Sequence, residues 1–119
     1  MVRGYWRRVG GTLIERFPLT HSSKGPPLFA DAVIFPNRGT RISAVGEVTA
    51  ENEDVLVVNA RAKRLNLLVM GHAVFSLPLM KRLRPRSARS IALSTESDSV
   101  LEPLLSPFPE VEVVCVRPE

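Results

Sequence analysis

The chain holds one cysteine, Cys115, which excludes an internal disulfide framework and any zinc site built on thiolates alone. Its two histidines, His21 and His72, stand apart from each other and from any cysteine pair. No apolar run approaches the roughly 20 residues that span a bilayer. The opening Met1-Val-Arg-Gly-Tyr-Trp-Arg-Arg lacks the apolar stretch of a signal peptide, so the expectation is a cytoplasmic protein without a membrane partner. A phosphate loop ending in Lys-Ser/Thr, a G-x-G-x-x-G turn and a G-x-S-x-G elbow are all missing, which removes the commonest nucleotide-binding and hydrolase signatures. Lysine is scarce too, at 3 residues against 13 arginines.

What remains is 45% hydrophobic and 24% charged over 119 residues, too apolar for a disordered chain and long enough for one domain spanning 1–119. The net charge of +4 is carried by guanidinium groups, whose planar fork suits phosphate; a coding preference for arginine explains the same composition. Pro18 to Pro27 and Pro36 to Gly46 are rich in turn-forming residues and read as irregular.

Val55-Leu-Val-Val-Asn-Ala60 is β-branched and apolar on both faces, the pattern of a central strand. Leu28–Phe35, Ala88–Leu93 and Val111–Val116 read as further strands. Leu67, Met70, Val74 and Leu77 repeat at helical spacing; Ser76 and Pro78 should end that helix and start a short second one reaching Leu83. Ser99 to Leu105 permits one more short helix. At the N-terminus a short helix through Val9, a Gly10-Gly11 turn and a strand from Thr12 to Leu19 are expected, because two glycines inside one long helix would cost it about 1 kcal/mol each. The resulting order, αβββαβ(α)β, is an α/β or α+β fold with a mixed sheet flanked by helices. His72 then falls mid-helix as a partly buried, satisfied side chain, and Cys115 as a small core residue.

Strict alternation puts Leu13, Glu15, Phe17 and Leu19 on one face of the first strand, and Asp31 with Phe29, Val33 and Phe35 on one face of the second. Asn59, Arg61 and Lys63 continue the face of Val55 and Val57. A carboxylate on an apolar strand face costs several kcal/mol unless it is paired, hydrogen-bonded or bound to metal. If the three strands are neighbours, two carboxylates, an amide and two cations converge. That set is either a cradle for Mg²⁺ and a phosphodiester or a structural ion-pair cluster joining Glu15 and Asp31 to Arg61 and Lys63.

A helix, a strand with Glu15, a partner strand with Asp31-Ala-Val-Ile, then Asp54-Val-Leu-Val-Val-Asn-Ala-Arg-Ala-Lys63 and a helix resembles the PD-(D/E)xK nuclease superfamily, from Tyr5 to about Leu93. The resemblance implies a restriction-endonuclease-like core, with Asp31 as a metal-binding carboxylate and Glu15 as the accessory acid. Asn59-Ala60-Arg61 stands where the family has (D/E)-x-K. Asparagine removes one ligand charge, and arginine keeps its charge but cannot give up a proton. Lys63, two residues further on, is the candidate stand-in for the missing lysine.

The site expected from these residues is Asp31, Asn59, Arg61 and Lys63 for catalysis, with Glu15 and Asp31 for a weakly held Mg²⁺. Arg82, Arg84, Arg86 and Arg89 are the expected contacts to a DNA backbone. The functional expectation is a DNA-binding, nuclease-like protein whose Mg²⁺-dependent hydrolysis is weak or lost. The alternative is a non-catalytic adaptor acting through protein or homodimer contacts, suggested by the many apolar residues between Leu67 and Phe75.

Overall fold

A computed structural model describes residues 1–20, 25–61 and 63–117. Its elements run α1 (Val2–Val9), β1 (Thr12–Pro18), β2 (Phe29–Phe35), β3 (Arg41–Ile42), β4 (Asp54–Ala60), α2 (Leu67–Lys81), β5 (Ser87–Ser94), a 3₁₀ turn (Glu102–Leu105) and β6 (Val111–Cys115). One six-stranded sheet has the order β3-β1-β2-β4-β5-β6. The β1-β2-β4 portion is antiparallel, whereas β5 and β6 add in parallel to β4 and β3 adds in parallel to β1. The expected order of elements is found, with β3 as an extra two-residue edge strand inside the Pro36–Gly46 loop.

Helices cover both faces. Under α1, Tyr5 packs with Leu13, Ile34, Val58, Ile91 and Leu93. On the other side Leu77 and Met80 of α2 pack with Ile14, Val33, Phe35, Val55 and Val57, and Val69 and Ala73 pack with Ala92 and Leu105. A sheet buried on both faces explains why β4 carries apolar residues without alternation.

The glycine turn is where the sequence demands it. Gly10 and Gly11 both have positive φ, and a Cβ on Gly11 would stand 2.4 Å from the Phe35 carbonyl oxygen. Trp6 Nε1 donates to the Gly11 carbonyl at 2.7 Å, so helix, turn and strand are fastened together.

Three local expectations fail. Leu13 and Glu15 do not share a face with Phe17 and Leu19: Leu13 lies under α1, whereas Phe17 and Leu19 lie in the α2 core. The cause is Arg16, whose φ of 52° is left-handed and breaks the alternation. The helix from Leu67 also does not stop at Ser76–Pro78 but runs unbroken to Lys81. Pro78 is exposed, while Leu77 and Met80 beside it are buried in the core, so burial on both sides of the proline outweighs its missing N–H. The turn at Glu102–Leu105 is 3₁₀ rather than α, with Pro103 in its opening positions.

Candidate functional site

The antiparallel ladder of β2 and β4 pairs Ala32 with Val58, which sets Asp31 beside Asn59 at the end of both strands. Asn59 follows Val55 and Val57 onto the α2 side and is 1% exposed. Both ends of its amide are engaged: Oδ1 accepts from the Asp31 N–H at 3.4 Å, and Nδ2 donates to Ser76 Oγ on α2 at 3.1 Å. Asn59 therefore ties three elements together at a buried position.

Asp31 differs. Its side chain is 44% exposed, Oδ2 accepts from the Ala60 N–H at 2.8 Å, and Arg61 Nη1 stands 3.8 Å from the same oxygen. The carboxylate thus replaces the next ladder bond, while its second oxygen remains available. Arg61 Nη1 also donates to the Ala60 carbonyl at 2.8 Å. Beyond the strand, Arg61 N–H donates to the Leu93 carbonyl and the Lys63 carbonyl accepts from Thr95 N–H. This edge contact with the end of β5 holds Arg61 and Lys63 beside the site. The Lys63 side chain is exposed and has no acidic partner among the described residues.

Asp31, Asn59 and Arg61 are brought together, and Glu15 is not. Glu15 pairs with Ala32 in the ladder, on the α1 side, and its carboxylate is held by Arg3 at 2.7 and 3.3 Å. Among the described residues no group of three or more His, Cys, Asp or Glu side chains is placed to hold a metal ion. One half-exposed carboxylate beside a guanidinium, with the neighbouring amide oxygen occupied by a backbone N–H, is a poor donor set for Mg²⁺, which favours carboxylate and water oxygens around an open octahedron.

The basic run after α2 divides. Arg86 grips Asp54 through two bonds at 3.0 and 2.6 Å, and Arg89 stands 3.9 Å from Glu112. Arg82 and Arg84 are exposed with no acidic partner among the described residues, which makes them the free cations of the stretch. Lys81 pairs with Glu110. His72 is exposed rather than partly buried, and Cys115 is exposed at the end of β6 rather than a core residue. His21 lies outside the described residues.

At the opposite end of β4, Asp54 accepts from Arg86, Ser87 Oγ and Asn37 Nδ2. The Arg86 bonds first, then the Ser87 hydroxyl, hold its carboxyl far below the usual carboxylate range. Asp98 is likewise lowered, mainly by the Leu101 and Val100 backbone N–H groups and further by Arg64.

Sequence reasoning missed Ser76, which it took for a helix terminator. The available signal was a hydroxyl among apolar residues on the inward side of α2, where a partner is required. Comparison of the chain with family models, curated proteins and solved structures finds no match.

Proposed function

We propose that this chain is a nuclease-fold protein that binds DNA and hydrolyses phosphodiesters weakly or not at all. The observation that supports it best is the corner where Asp31, Asn59 and Arg61 meet at the ends of adjacent strands. The same corner argues against efficient hydrolysis. A metal-dependent nuclease needs a cation held by several anionic oxygens, to make hydroxide near neutral pH. Here Glu15 faces the other side of the sheet from Asp31, and among the described residues no cluster of acids is placed to hold a metal ion. Arg61 and Lys63 supply charge for a phosphate, but the Arg61 guanidinium stays protonated and cannot serve as a proton acceptor. Arg82 and Arg84, without an acidic partner among the described residues, add cations along the chain leaving α2.

Nicking of supercoiled plasmid with Mg²⁺ or Mn²⁺, with Asp31→Ala as the blank, tests the hydrolytic half. The expected result is nicking no greater than the blank, and an increase when Asn59→Asp and Arg61→Lys are combined. Retention on DNA tests the other half. It should fall with salt, and Arg82→Ala with Arg84→Ala should flatten the slope of log K against log salt by about 0.9 for each lost contact. Robust cleavage that disappears in the blank would overturn the weak-activity reading, and salt-independent or absent retention would overturn DNA binding.

A second reading, an adaptor acting through protein or homodimer contacts, draws on the exposed Leu67, Leu68 and Phe75 of α2. Exposed apolar groups in one patch mark an interaction surface.

A further inference from the structure

The outer side of α2 is apolar as well as the inner. Leu68, His72, Phe75 and Leu79 form one stripe at helical spacing, and Phe75 is 69% exposed. Between this stripe and the β1–β2 connection lies a hollow of about 350 Å³. Shared walls at Leu19, Leu28 and Leu79 join it to a second hollow of about 710 Å³ that reaches Arg82. Ser76, the partner of Asn59, lines the first hollow, so the groove begins beside the Asp31 corner and ends at a free guanidinium.

Two aromatic rings border it. Phe75 comes from the helix, and Phe29, half-exposed, comes from the strand two residues before Asp31. The Arg16 guanidinium lies 4.6 Å from the Phe29 ring centre, a cation–π stack made possible by the left-handed backbone at Arg16. Among the described residues no Asp or Glu lines either hollow, and the charged or titratable linings are His72 and Arg82. By contrast, Glu102, Glu110 and Glu112 line the hollows near β6.

We propose that this groove takes a single-stranded polynucleotide, with bases laid on Phe75 and on the Arg16 guanidinium that covers the Phe29 ring, and the backbone drawn by Arg82. The proposal rests on the nucleic-acid-binding reading and narrows it to single strands. Cations without acids complement a polyanion, and exposed rings complement bases that have no stacking partner. A duplex presents phosphates outward and hides its base faces, so against it the Leu and Phe side chains would gain nothing. An acidic peptide would meet the charge but leave the rings without flat partners.

Fluorescence anisotropy of labelled oligothymidine and of a labelled duplex is the test, run on the intact chain at low and moderate salt. Oligothymidine should bind more tightly than the duplex. Phe75→Ala should weaken it roughly tenfold, with recovery in Phe75→Trp. Arg82→Ala should lower the salt slope by about 0.7, the value for one contact to a single strand. Because Phe75 and Arg82 are exposed, these variants keep the fold. Duplex bound as tightly as oligothymidine, or an unchanged single-strand affinity in Phe75→Ala, overturns the groove and leaves DNA binding standing. Binding of neither polymer overturns both. A dimer in solution that Phe75→Ala dissociates, or Phe75-dependent sedimentation with phosphatidylserine vesicles, assigns the groove to a second copy or a membrane surface and overturns the proposal.

Discussion

The two ends of the sheet are built differently. Where β4 and β5 begin, polar side chains interlock: Asp54 holds Arg86, Ser87 and Asn37, Arg38 holds Glu53, and Gly11 is pressed against the Phe35 carbonyl. Where the same strands end, Arg61 stands 3.8 Å from Asp31, and among the described residues one Asp31 oxygen and the exposed Lys63 ammonium have no partner. The first end is a closed clamp and the second an open corner. The open one lies at the carboxyl ends of the parallel strands, the side on which α/β sheets place their ligands. A charged residue beside a strand is thus informative about function when its hydrogen-bonding capacity is left over, not merely because it is charged.

Substitutions at the two ends should break or sharpen this contrast. The largest loss is expected at the closed end from Gly11→Ala, roughly 3 kcal/mol or more. The new Cβ combines a strained backbone with a collision against the Phe35 carbonyl, and urea unfolding would report the loss. Asn59→Asp follows at roughly 2–3 kcal/mol, since a charge would enter a buried position beside Asp31. Burial raises the folded-state pKa of such a carboxyl. The penalty is therefore complete above that raised value, fades as pH falls from it toward the unfolded value, and is gone below the unfolded one. Unfolding with and without Mg²⁺ would also show whether a cation offsets it.

Ser76→Ala is expected to cost about 1–2 kcal/mol, because Asn59 Nδ2 loses its acceptor in a dry site. Asp54→Asn acts through pH. The folded-state pKa of Asp54 is depressed, so its stabilisation is whole above the unfolded value of about 3.9 and is lost as pH drops toward the folded one. Thermal melts should show the unaltered chain losing more stability than the variant between about pH 5 and pH 2. Smallest of all is Asp31→Asn, within about 0.5 kcal/mol, since a half-exposed amide oxygen can still accept from Ala60 N–H. If Asp31→Asn destabilises as much as Ser76→Ala, the open corner is a structural joint and the contrast is wrong.

Most of the architecture was legible because its signals are local. The apolar run Val55–Val58 marks a central strand, and the cost of Gly10-Gly11 inside one long helix favours a break there between helix and strand. Asp31 and Asn59 could be paired from alternation because β2 and β4 are regular there. Glu15 could not be placed, because its face depends on a left-handed residue at Arg16, and arginine gives no sign of that conformation. Pro78 misled for the opposite reason: a strong local breaker is overruled by Leu77 and Met80, whose burial is set by distant strands. The split of the basic run was equally hidden, since Asp54 lies over thirty residues from Arg86.

The sheet order carries a consequence for how the chain is made. Apart from the short β3, strands enter the sheet in the order of synthesis, each new one pairing with the strand laid down before it. A chain emerging from the ribosome can close the β1-β2-β4 meander early, then add β5 and β6 along one growing edge, with no strand having to insert between two already joined. Until α2 arrives, however, the face of Val55 and Val57 is bare. The interval between β4 and α2 is only residues 61–66 long. That short spacing limits the time during which nascent chains could stick to one another through this apolar strand.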